Sequence, residues 1–197
     1  MYRKLLLATN NQGKVREYRS LLSGIPFCLV TPADEGITTR VDEVGESLQE
    51  NARLKAATLA AESRLLTLAD DSGLEVAALN GEPGCLSARY AGEDASDSDR
   101  VSYLLARMKG VPWEKRSARF RCVIALAIPD GKVEFFGGEC PGMIAFEPRG
   151  EQGFGYDPIF YLPAPGKTMA ELPAEIKNRI SHRGQAARQV YQRLKKG

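Results

Sequence analysis

One histidine, one tryptophan and four cysteines among 197 residues leave little material for several common chemistries. Cys28, Cys85, Cys122 and Cys140 stand far apart and form no CxxC pair, so even with the single histidine they do not make a zinc site. Cys122 lies in an apolar run and reads as a small packing residue. No apolar run reaches membrane-spanning length, and Met1-Tyr2-Arg3-Lys4-Leu5 lacks the long apolar stretch of a secretory signal. A reduced, cytoplasmic setting is the expectation. An excess of one charge is missing too: 27 Lys and Arg against 25 Asp and Glu leave a formal +2, too balanced for a binder of nucleic acid or of a membrane surface. Internal repeats and low-complexity tracts are also absent.

What is present is the make-up of an ordinary globular domain, 43% hydrophobic and 26% charged. Residues 1–197 read as a single unit with no linker. Leu5 to Ala8 is an apolar run ending in the polar stretch Thr9 to Gly13. Val15, Tyr18, Leu21 and Leu22 then recur at helical spacing. Phe27 to Val30 reads as a short strand. Ser47-Leu48-Gln49-Glu50 fits a capping box that opens a helix running to about Ser63, with Ala52, Ala56, Leu59 and Ala60 on one face. Leu65 to Ala69 is a buried strand ending at Asp70-Asp71-Ser72-Gly73, and Leu74 to Leu79 continues as strand. A helix over 98–109 turns Val101, Leu104, Leu105 and Met108 inward. Residues 118–128 and 133–138 form a hairpin with Asp130-Gly131 as its turn signal. Ile159 to Leu162 is a further strand, and helical patterns over 170–180 and 184–196 close the chain. The class this supports is mixed α/β.

Four segments carry candidate chemistry. A polar loop between a strand and a helix, Thr9 to Lys14, turns backbone N–H groups and a positive helix end toward phosphate, and Lys14 adds a point charge. It lacks the P-loop pattern, since Val15 follows Lys14. An ordinary turn with a solvated lysine fits the loop equally well. The doublet Asp70-Asp71 places two carboxylates in a small volume, a strain that a cation such as magnesium relieves. Successive strand residues face opposite ways, so one could ligate metal while the other orients water. A doublet closing a buried strand favours that reading over an acidic turn. Ser181-His182-Arg183-Gly184 breaks two helical patterns and suits an anion or a base edge. Ser72 sits in no GxSxG elbow, which argues against a Ser–His–Asp triad. Finally, Gly153 to Pro158 sets an aromatic residue between glycines, either to approach a planar ligand or merely as a turn.

Together, TNNQGK at 9–14, ENA at 50–52, ADDSGLEV at 69–76, SARYAGEDA at 87–95, FGYDPIF at 154–160 and SHRGQA at 181–186 resemble the Ham1/RdgB family of inosine and xanthosine triphosphate pyrophosphatases. The resemblance implies a mixed twisted β-sheet flanked by helices, in two lobes with an active-site cleft between them, an architecture also seen in Maf-like enzymes. It implies that Thr9, Asn10, Asn11, Gln12, Gly13 and Lys14 hold the triphosphate. Asn11 stands where the family commonly has glycine, a change that could alter the loop. Glu43, Asp70 and Asp71 match metal positions, with Asp42 a possible neighbour, Asp71 matches the general base, and Ser72 matches a substrate contact. Phe154, Gly155, Tyr156 and Asp157 match the base pocket, Lys177 a phosphate- or base-side lysine, and Ser181, His182 and Arg183 the reader of the 6-keto edge.

The activity so implied is hydrolysis of dITP, ITP and XTP to monophosphate and pyrophosphate. It depends on Mg2+, cleanses the nucleotide pool and is carried by a homodimer. Magnesium and Lys14 would neutralise the polyphosphate while Asp71 deprotonates a water aimed at the α-phosphorus. The polarity of position 6 and N1 would discriminate against adenine. A Maf-like pyrophosphatase acting on other modified nucleotides is the nearest rival. A nucleotide sensor or RNA-binding module without catalysis is the non-enzymatic alternative, against which the retained carboxylates speak.

Overall fold

The computed structural model describes residues 3–42, 45–129 and 131–196. In chain order the main elements are β1 (Arg3–Leu7), α1 (Gln12–Leu21), β2 (Phe27–Val30), α2 (Leu48–Ser63), β3 (Leu66–Val76), β4 (Pro83–Gly84) and α3 (Asp97–Arg107). They continue with β5 (Ser117–Ala127), β6 (Val133–Ile144), β7 (Phe160–Leu162), β8 (Lys167–Thr168), α4 (Ala174–Ile180) and α5 (His182–Lys195). The strands join in one mixed sheet of order β2-β1-β3-β5-β6-β7-β8, with β4 on β3. β1 pairs in parallel with β2 and β3; β4 on β3, β7 on β6 and β8 on β7 are antiparallel. Helices flank this sheet, as the resemblance implied.

The chain divides into two compact units, and β3, β5 and β6 each contribute a stretch to both. In the first unit (1–71, 122–138 and 183–197) strand alternation sorts two cores. Leu5, Leu7, Leu68, Cys122, Ile124 and Leu126 pack with Tyr18 and Leu22 of the α1 region and with Ala186, Ala187 and Val190 of α5. Leu6, Ala69, Ala125 and Ala127 pack with Ala52, Ala56, Leu59 and Ala60 of α2. Alanine faces alanine on that side, so a larger side chain at Ala56 or Ala125 would overpack it by about 1–3 kcal/mol. The second unit (72–121 and 139–182) is built on Leu74, Val76, Val101, Leu104, Met108, Phe120, Ile144 and Phe160.

Three sequence readings change here. The strand read over 65–69 does not end at the doublet, and the continuation read over 74–79 stops at Val76: β3 runs unbroken from Leu66 to Val76, with Asp70 and Asp71 inside it. Gly73 makes the continuity possible, because a Cβ there would lie 2.3 Å from the Gly84 carbonyl oxygen of β4. The box at Ser47 is half formed. Its hydroxyl accepts from the Glu50 amide, but the Glu50 carboxylate accepts from the Glu46 amide instead of the Ser47 one. A complete box opens α3 at Ser96 and Asp99, which the helical periodicity alone did not reveal. The turn signal at Asp130 lies outside the described residues.

Candidate active site

In the first unit the parallel register sets Leu7 beside Leu68, so the loop after β1 runs on level with Asp70 and Asp71 of β3. The Ala8 amide donates to the Leu68 carbonyl at 2.8 Å and keeps the chain on that course. Asn11 then caps α1: its side chain accepts from the Lys14 amide at 3.0 Å, and its own amide donates to Thr9 Oγ1 at 3.2 Å. The Asn11 φ is −73°, so asparagine in place of the family's glycine is unstrained and supplies a cap. Asn10, Asn11 and Gln12 are exposed, Thr9 is half-buried and Gly13 is buried. Lys14, half a turn on, reaches Asp70: its Nζ lies 2.5 Å from Oδ1 and donates to the Asp70 carbonyl at 3.3 Å.

The pleat separates the doublet. Asp70 faces α1 and α5, where Arg183 Nε donates to its Oδ2 at 2.8 Å and Cys122 Sγ approaches the same oxygen at 3.6 Å. Burial alone would raise the Asp70 carboxyl, but the Arg183 and Lys14 cations outweigh it and hold it well below the usual range. Arg183 in turn donates from NH1 to Glu17 Oε2 at 2.8 Å. Burial would lower its pKa, and Asp70 and Glu17 instead raise it. Asp71 faces α2. Lys55 Nζ donates to its Oδ1 at 3.2 Å and to the Asp70 carbonyl at 3.0 Å, and Asn51 Nδ2 donates to its Oδ2 at 3.2 Å.

Lys55 and Glu17 were not singled out in the sequence, and Asn51 stood only inside the ENA block at 50–52, with no role given. Asn51 and Lys55 lie four residues apart, hence on one helical face, among the alanines that face the core. Polar groups at i and i+4 on a buried stripe were the available signal. Glu17 had none, because its partner Arg183 is 166 residues away.

Hard oxygen donors are what a magnesium site asks for, and the protein need give only one or two beside phosphate and water. Asp71, a carboxylate beside Lys55, which could hold phosphate, fits such an ion. Both Asp70 oxygens are already engaged by cations. Among the described residues no group of three or more His, Cys, Asp or Glu side chains could hold a metal, and Glu43 lies outside them.

The second unit gathers the other candidates. Gly153 has φ +82°, and a Cβ on it would fall 2.1 Å from Asp157 Oδ2. Glycine there makes room for this carboxylate, which accepts from the Phe154 amide at 2.9 Å and pairs with the Lys177 ammonium. Asp157 and Lys177 are both buried, and the Lys177 Nζ sits 4.9 Å from the centroid of the Phe154 ring. Tyr156, in contrast, belongs to the core, its hydroxyl donating to the Ser87 carbonyl. Gly155 donates to Asp97 at 2.7 Å. Ser181 caps the end of α4, and its amide donates to the Lys177 carbonyl. His182 opens α5 with its ring stacked on Phe120, centroids 4.7 Å apart. Ser72 is half-buried on β3.

A mixed α/β protein with lysines on a buried aspartate doublet, beside a loop that caps a helix, has the parts of a phosphate-handling enzyme. The sequence model of the Ham1 family matches residues 5–193. The chain is 50% identical over 183 residues to the dITP/XTP pyrophosphatase of Geobacter sulfurreducens, covering 93% of this chain and 92% of that one. It is also 50% identical over 194 residues to that of Thermus thermophilus, covering 98% and 93%. Among solved structures it superposes on a HAM1 protein from Coxiella burnetii with a TM-score of 0.90 at 41% identity, covering 99% of this chain and all of the other. The chain belongs to the Ham1 family.

Proposed function

We propose that this protein hydrolyses dITP, ITP and XTP to the monophosphate and pyrophosphate, removing non-standard purines from the nucleotide pool. The observation that carries the reading is the pairing of Lys14 and Lys55 with the buried Asp70-Asp71 doublet, in a chain 50% identical to enzymes named for that activity. Lys14, Lys55 and the capped loop at Thr9 to Gly13 take the polyphosphate, whose charge replaces part of what the aspartates now supply. Asp71, fixed by Asn51 and Lys55, orients a water and accepts its proton. Magnesium, held by Asp71 with Glu43 as the resemblance implies, supplies charge neutralisation when bound.

Base recognition falls to Phe154, Asp157 and Lys177. The Phe154 ring offers a stacking face, and the Asp157–Lys177 pair meets the edge of the purine with one acceptor and one donor. Ser181, at the end of α4, and His182, at the start of α5, support this. Arg183, which the resemblance assigns to the 6-keto edge, has its guanidinium on Asp70 and Glu17, and its role is to hold Asp70 in place. Cytoplasmic action as a homodimer is the family's implication. Among the described residues no helix is long and apolar enough to cross a membrane.

Incubation with ITP and magnesium, followed by a pyrophosphate assay, tests the reading. Release of pyrophosphate and inosine monophosphate is expected. Absence of release with ITP, XTP and dITP alike overturns it.

A further inference from the structure

We propose that Asn51 is a positioning residue: its amide sets the orientation of the Asp71 carboxylate and ties it to the backbone at Gly45. The inference rests on the reading of Asp71 as the group that activates water. Asn51 is fully buried on α2 amid Ala52, Ala56 and Ala60, where an amide is costly unless both its ends are bonded. Both are. Its Nδ2 donates to Asp71 Oδ2 at 3.2 Å, and its Oδ1 accepts from the Gly45 amide at 2.8 Å.

The backbone at Gly45 decides which way the amide points. An N–H can only donate, so it must meet the oxygen, and the NH2 is left facing Asp71. A Cβ on residue 45 would lie 2.8 Å from Asn51 Oδ1, so only glycine allows the approach. The amide also orients Asp71 without adding a charge to the site, which the neighbouring Lys55 does. Because the helix, the backbone at 45 and the strand each hold one point, the carboxylate plane has little freedom to rotate. That geometry is what a base aimed at a water needs.

Asn51→Asp separates the two contacts. It keeps an oxygen for the Gly45 amide and turns the donor facing Asp71 into an acceptor; Asn51→Ala removes both. With ITP and magnesium, kcat of Asn51→Asp is expected to fall about 10- to 100-fold with KM within about 3-fold of wild type. Calorimetric affinity for inosine monophosphate without metal should stay within about 3-fold. Gly45→Ala, which displaces the amide without altering it, should lower kcat in the same direction. Near-wild-type turnover in Asn51→Asp beside an impaired Asn51→Ala would show that Asn51 only pins the backbone, and would overturn the proposal. Should Asn51→Asp melt well below wild type, the exchange Asn51→Asp with Asp71→Asn restores a donor–acceptor pair. Its melting temperature should recover while kcat does not; failure of the melting temperature to recover also overturns the proposal. The melting temperature of the exchange is read without turnover, so it separates this inference from the substrate reading, which wild type alone tests.

Discussion

Asp70 illustrates how burial and charge compete at a single residue. Its side chain is fully enclosed, and removing a carboxylate from water is costly unless cations and hydrogen bonds repay it. Arg183 and Lys14 do so from two directions. Arg183→Ala therefore takes from a buried carboxylate the cation that acts on it most strongly, and from Glu17 the same guanidinium. The expected cost is about 3–5 kcal/mol, read from urea unfolding. A loss below about 1 kcal/mol, the value of a surface pair, would show that the network is solvated. Asn11 teaches a smaller lesson. The departure from glycine looked capable of disturbing the loop, yet φ is negative there and the side chain serves as a cap.

Among the elements, α3 ends on a device of its own. Arg116, buried at the entry to β5, donates to the carbonyls of Met108 and Val111 beyond the last turn of α3 and to those of Ile144 and Ala145 at the end of β6. The Met108 carbonyl, at the end of α3, has no partner within the helix and is shared with the Val111 amide. The planar fork reaches these carbonyls in several directions at once, which an ammonium on a flexible stem does not. Arg116→Lys is expected to cost about 2–3 kcal/mol in urea unfolding, since several buried carbonyls lose their donor. A change within about 0.5 kcal/mol of wild type would mean that water takes the place of the fork.

At the scale of the whole molecule, shifted groups bracket a pH window. Glu75, despite some desolvation, is lowered from its ordinary 4.5 by hydrogen bonds from Arg119 and Arg121, and Glu134 by one from Arg193. A depressed carboxyl stabilises the fold above its unfolded value and loses that contribution as pH falls through the folded one. On the alkaline side, burial pushes the Cys140 thiol from 9.0 up to about 11, and burial with a bond to Glu82 pushes Tyr90 from 10.0 up to about 12. Their contribution is complete below the unfolded values and fades as pH rises through the folded ones. Melting temperatures should form a plateau from about pH 5 to 9 and fall on both sides. Cys140→Ala should flatten the alkaline limb, and an unchanged limb would assign it elsewhere. High salt should weaken the acidic limb, because the Arg119, Arg121 and Arg193 side chains are nearly half exposed and so open to screening.

The sequence by itself determined the class, most elements and the family. The apolar run at 5–8 and helical spacing in 15–22 and 98–109 reflect local steric preferences and the need for burial, which are written in consecutive residues. The motifs TNNQGK, DDSG, FGYDP and SHRG likewise announced phosphate and base chemistry because each is contiguous. Tertiary structure decided what those motifs touch. It ran β3 unbroken through the doublet, since Gly73 lets Gly84 approach, and the pleat then sent Asp70 and Asp71 to different helices. It gave Arg183 to Asp70 and Glu17, put Tyr156 in the core, and brought Asn51 and Lys55 onto Asp71. Such pairings join residues from 16 to 166 positions apart. They depend on strand register and on which face each helix buries, and neither is encoded in any local stretch of the chain.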